Sequence, residues 1–276
     1  MNKFSQLAKA LSLTTVLGLS CIGVSNAATI NFNNGVAATD GSGLTSQYID
    51  PNSVGITDYF IETFDQATGV PGFDGTTDYT IAGFEDDCAV NSVNAGPFGI
   101  SVSGNSSEIG IRQGSVSNVA AAPLNDSTCY GYLTNNGEGS ASVEFDYTNL
   151  LSYFSDEAGS GVELGITYLG FYWGSVDNYN DFEFYSGGSL VTSISGNQML
   201  SEFNETSGDL HTYVEIEFSI AEKFDTLVIN TNGVAGEFDN IVIGLSSRNL
   251  PVPAPTGLAL FAFGLVALGL RSRLKK

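Results

Sequence analysis

From Ala141 onward, apolar residues recur at every second position in short runs, and this spacing limits what the chain can fold into more than any other feature. Val143, Phe145 and Tyr147 alternate with Glu144 and Asp146. Phe182 and Phe184 alternate with Asp181, Glu183 and Tyr185. Val214, Ile216 and Phe218 alternate with Glu215 and Glu217. Successive side chains of an extended chain point to opposite faces, so each run reads as a strand with one face buried. Residues 165–173 are nearly all apolar, as expected of a central strand covered on both faces. Ser186-Gly187-Gly188 reads as a hairpin turn into a strand at 190–194. Asn232-Gly233 follows a strand at 227–230, and 237–245 closes the run. Upstream the signal is weaker, with short strands expected at 29–32, 59–64, 79–84, 100–103 and 108–112, and residues 91–140 reading as loop-rich. The 33 glycines and the scarcity of Lys and Arg oppose long helices. The predicted fold is all-β: an antiparallel β-sandwich, jelly-roll-like by first preference and lectin-like by second.

The two ends have a different character. Lys3 and Lys9 precede an apolar stretch over 10–24, and Ser25, Ala27 and Ala28 follow. A basic start, an apolar middle and a small-residue exit make a signal peptide over 1–27. A buried N-terminal helix and acylation of Cys21 are the alternatives. At the other end, Pro251-Val252-Pro253-Ala254-Pro255 stops regular structure. Residues 256–270 carry no charge and include eight Leu, Phe or Val, which favours membrane insertion by roughly 2 to 5 kcal/mol. As a helix this segment rises about 22 Å against a hydrocarbon core of about 30 Å, so it spans only marginally. Arg271, Arg273, Lys275 and Lys276 should stay cytoplasmic, leaving all that precedes outside. Four segments follow: signal peptide 1–27, acidic sandwich 28–245, linker 246–255, and sorting helix with basic tail 256–276.

The proline-rich signal, short apolar helix and terminal Arg/Lys cluster resemble the PEP-CTERM tail read by exosortases. The sorting residues would be Val252, Pro253, Ala254, Pro255, Arg271 and Arg273, with Ala254 departing from the glutamate of the name-giving motif. The run 168–180, with 182–188 and Phe238-Asp239-Asn240-Ile241, is similar to exosortase-dependent surface proteins. The resemblance implies signal peptidase, the secretion machinery and an exosortase-like enzyme as partners. It also implies transient residence in the inner membrane and association with exopolysaccharide. A plain single-span anchor is the alternative.

Residues 28–250 hold all 30 acidic residues and only Arg112, Lys223 and Arg248 as bases, net −27. Such a surface repels nucleic-acid phosphates and anionic membranes. It suits a solvated exterior or a cation site. With Cys21 removed, Cys88 and Cys129 remain as an even pair in an oxidising compartment, and a disulfide is expected, two thiols being the alternative. It would close a loop of about 40 residues and contribute roughly 4 kcal/mol in the chain-entropy model.

No nucleophile elbow, zinc spacing or phosphate loop occurs. The lone His211 reads as a surface residue, and Glu85-Asp86-Asp87 as a solvated turn. Asp177 and Asp181, with Asn178 and Asn180 between them, and Asp239-Asn240 supply hard oxygen ligands, so Asp177, Asp181, Asp239 and Asn240 are candidate Ca²⁺ ligands without EF-hand spacing. Trp173 and Tyr179, near Tyr172 and Tyr185, are candidate sugar-stacking residues, the alternative placing Trp173 in the core. The reading is a non-enzymatic exported surface or matrix protein. A calcium-assisted carbohydrate-binding module comes second and a glycoside hydrolase third, because glycosidases need only two carboxylates.

Overall fold

The structure is a computed structural model and describes residues 28–32, 34–52, 58–65, 77–79, 100–104, 108–137, 139–158, 162–203 and 211–249. The signal segment, Glu85-Asp86-Asp87, Cys88, the sorting motif and the tail lie outside these residues. In chain order the strands are β1 (Thr29–Phe32), β2 (Val36–Ala37), β3 (Leu44–Thr45), β4 (Tyr59–Glu62), β5 (Thr77–Tyr79), β6 (Ile100–Gly104), β7 (Ile109–Gln113), β8 (Cys129–Thr134) and β9 (Ala141–Asp146). After helix α1 (Thr148–Ala158) come β10 (Val162–Gly174), β11 (Asn180–Ser186) and β12 (Ser189–Ile194). Helix α2 (Gly196–Phe203) precedes β13 (Thr212–Glu217), β14 (Thr226–Thr231) and β15 (Val234–Asn249).

Two sheets form a sandwich. The first runs β1-β13-β10-β15-β8-β7, with β4 also pairing β15; the second runs β12-β11-β14-β9-β6-β5. Every pairing is antiparallel except β5 with β6. The alternation read from sequence is what fills the space between the sheets. Phe184, Leu227 and Phe145 are cross-strand partners in the second sheet, and Phe182, Ile229 and Val143 form the next row. Facing them, Leu169 lies between Ile216 and Ile243. Each such fully buried aromatic or aliphatic side chain contributes about 1.5 to 3 kcal/mol relative to exposure. The nearly continuous apolar run is β10, central in the first sheet between β13 and β15.

Asn232-Gly233 makes the expected turn, and because β14 and β15 belong to different sheets it is a corner that carries the chain from one sheet to the other. Several local expectations are corrected. The stretch read as loop-rich contains β8, whose Gly131 leaves room for the Phe238 ring. The strand expected over 59–64 ends at Glu62. Its carboxylate accepts the Phe64 N–H at 2.7 Å, and Phe64 turns to φ 57°. Two helices were not anticipated. In α1, Leu150 is buried and Phe154 packs on Phe60, with ring centroids 5.3 Å apart. In α2, Met199 and Leu200 are buried, while Ser195 accepts the Gln198 N–H at 3.2 Å as an N-cap. Among the described residues no helix is long and apolar enough to cross a membrane.

Candidate functional site

Phe238 points into the core, where its ring meets Phe64 and Phe145. Its neighbours Glu237 and Asp239 therefore leave β15 on the outer face of the first sheet. Both are buried all the same, because residues 38–46 and 114–128 fold over that face.

Glu237 is 1% exposed. Its Oε1 accepts the Ala121 N–H at 2.7 Å, and its Oε2 accepts the Ser175 hydroxyl. Burial pushes its carboxyl up to about 7, with the Asp177 charge adding to the rise and the two hydrogen bonds opposing it. Beside it opens a cleft of about 330 Å³, lined among others by Ser115, Asn118, Ser175, Asp177 and Val234. The Tyr179 hydroxyl donates to Asp177 Oδ2 at 2.6 Å and stands 3.1 Å from the Val234 carbonyl. Its ring lies against Gly233, where a Cβ would come within 2.5 Å of it.

A second cleft, of about 380 Å³, is lined by Gly41, Gly43, Leu124, Asn125, Tyr172 and His211 among others. His211 is half-buried and holds structure together: its Nδ1 accepts the Leu124 N–H at 3.2 Å and the Ser175 N–H at 3.4 Å. Nδ1 must therefore carry no proton.

Under the same loops lies a set of carboxylates. Asp239 is 0% exposed; its Oδ1 accepts the Asn240 N–H at 2.7 Å, and its Oδ2 has no hydrogen-bond partner. Asp126 Oδ1 accepts both the N–H and the hydroxyl of Thr128 at 2.8 Å, and its Oδ2 also lacks a partner. The two carboxylates face each other, with Asp40 and Asp65 adding negative charge. Burial raises both Asp126 and Asp239, and for Asp239 the Asp126 charge comes next. Burial pushes Asp65 up to about 6. Asn240 sits at a bulge, where β15 places two residues against one of β10, and takes φ 47°. That turn sends its side chain to the face Asp239 occupies. Nδ2 donates to Ser42 Oγ at 2.7 Å and to the Leu44 carbonyl at 2.9 Å.

The residues read from sequence are thus divided. Trp173 is 2% exposed and packs against Phe171 and Phe182, so it offers no face to a sugar; this corrects the stacking assignment. Tyr179 hydrogen-bonds two residues that line the Glu237 cleft, Asp177 and Val234, whereas Tyr185 lies in the other sheet and bonds Glu183. The four proposed calcium ligands do not converge. Asp181 is on the outer face of the second sheet, where its Oδ1 accepts the Gly196 N–H at the start of α2. Asp177 lies in the connection between the sheets. Only Asp239 and Asn240 remain together, joined by Asp126, which the sequence did not single out. Among the described residues no three His, Cys, Asp or Glu side chains stand at metal-ligand spacing. Cys129 opens β8, and its N–H donates to Asp65 Oδ1 at 3.1 Å.

No family model matches the chain, and no curated protein matches it. Among solved structures it is similar to TmCBM61 in complex with β-1,4-galactotriose, at 12% identity over 54% of this chain and 86% of that one, with a TM-score of 0.24. A likeness of that size carries no argument about ligand.

Proposed function

We propose that this chain is an exported bacterial surface or extracellular-matrix protein whose sandwich binds polysaccharide in the Glu237 cleft without cleaving it. The order of leader-like start, acidic globule, proline-rich break, apolar segment and basic end supports export and sorting by an exosortase-like enzyme. The passage of the chain from sheet to sheet between β8 and β15 supports the jelly-roll reading.

One observation carries the binding half: the cleft has two kinds of wall. Ser115, Asn118, Ser175 and Asp177 supply donors and acceptors for sugar hydroxyls, while Val116, Val234 and Ala235 supply apolar surface for the C–H faces of a ring. The same geometry favours binding over hydrolysis. A general acid must present its proton to the leaving oxygen. Glu237 lines the cleft, but both its oxygens are already engaged by Ala121 and Ser175 and only 1% of it is exposed, so it has no free oxygen to present to a leaving group. Its role is to position Ser175.

Affinity electrophoresis of the full-length protein through gels containing the producing cell's exopolysaccharide tests this reading. The native protein should be retarded and Asp177→Ala released, with melting unchanged. Equal mobility of the two would sink it.

A further inference from the structure

We infer that Asp126, Asp239 and Asn240 form a binding site for a divalent cation, Ca²⁺ by chemistry, buried on the outer face of the first sheet. The proposal stands independently of the polysaccharide reading.

Three buried oxygens have no donor there when both carboxyls are ionised: Asp126 Oδ2, Asp239 Oδ2 and Asn240 Oδ1; the two carboxyls stand close enough to hydrogen-bond each other once one of them is protonated. All three are acceptors. Buried acceptors are nearly always satisfied, and an unpaired buried carboxylate is especially costly. What would satisfy two facing carboxyls is a proton shared between them or a cation held by both. The Asn240 amide cannot turn round to relieve this, because Nδ2 already meets two oxygens, Ser42 Oγ and the Leu44 carbonyl. Exchanging the amide ends would set oxygen against oxygen.

Backbone geometry concentrates these groups. Adjacent strand residues ordinarily face opposite ways, yet the bulge at Asn240 brings its side chain round to the side of Asp239. Ser42, which anchors Asn240, is bridged to Asp126 across the covering loops, and its hydroxyl donates to Asp40 Oδ1 at 2.5 Å. Asp40 and Asp65 deepen the negative potential. Of the basic side chains among the described residues, Arg112 lies over the Tyr132 ring at 5.9 Å, and Lys223 pairs with Glu163 at 3.1 Å.

The donor set identifies the ion. Two carboxylates and an amide oxygen are hard ligands, and Ca²⁺ accepts such mixtures in irregular geometry, completing its shell with backbone carbonyls or water. Mg²⁺ demands a near-ideal octahedron. The competing occupant is a proton shared between Asp126 and Asp239.

Full-length protein in mild detergent, stripped with EGTA, separates the two. Millimolar Ca²⁺ should raise the melting midpoint by about 5 to 10 °C, as binding at about a hundred times Kd does for a domain of this size. Elemental analysis should find one calcium per chain. Asp239→Asn and Asp126→Asn should abolish the rise, while Glu144→Gln, an exposed acid on β9, keeps it. No thermal response and no bound calcium in the native protein would overturn the site. That comparison needs no variant to fold.

Discussion

The Ser175 hydroxyl donates to Glu237 Oε2, tying the residue after β10 to β15 across the floor of the cleft. Burial raises the Glu237 carboxyl to about 7 in the folded state, well above its unfolded value. Between those two values the folded chain holds the proton and the unfolded chain has lost it. The group's contribution is therefore complete below about 4.5 and is lost as pH rises through about 7. In calcium-free buffer the protein should be more stable at pH 5 than at pH 8, with about 3 kcal/mol from this group alone. Urea midpoints across that range measure it, and Glu237→Gln should flatten the slope.

Trp173 belongs to the core, flanked by Phe171 and Phe182. Trp173→Ala should cost about 3 to 5 kcal/mol by equilibrium denaturation. Trp173→Phe should cost much less and leave retention by polysaccharide unaltered. Loss of retention in the folded Phe variant would return Trp173 to the binding surface.

Gly43 holds the covering loop down on Tyr172. It takes φ 84°, and a Cβ would come within 2.5 Å of the tyrosine ring. Gly43→Ala should therefore destabilise by roughly 1 to 3 kcal/mol through both overpacking and backbone strain. Thermal melting of the variant reads this directly.

A Cys88–Cys129 disulfide, as expected from the sequence, would give a cross-linked peptide in a non-reducing digest, separated by reductant. Cys129→Ser should lower stability by about 4 kcal/mol on the chain-entropy account. Two alkylatable thiols in the native protein would argue against it.

Alternation at Val143, Phe145, Phe182, Phe184, Val214 and Ile216 made the sandwich legible, because a half-buried strand writes its inner face at every second residue. The signals for α1 were also present: Leu150, Leu151 and Phe154 lie at helical spacing, and Asp146 precedes them to accept the Thr148 N–H at 2.8 Å. They were masked by the β-rich surroundings. The candidate site was only half legible. Asp239 and Asn240 stood out as adjacent oxygen donors, but Asp126 lies more than a hundred residues away and joins them only through the bridge to Ser42. Nothing local in the sequence marks Glu237 as buried. Its burial depends on the loop from 114 to 128, whose path no local pattern encodes.

Intact mass of the protein recovered from the cell exterior tests the account's central claim, that this globule is exported and sorted by its two ends. The mass should correspond to a chain starting at Ala28 and ending close to Pro255. A chain of all 276 residues, starting at Met1 and recovered from the cytoplasm, would contradict it.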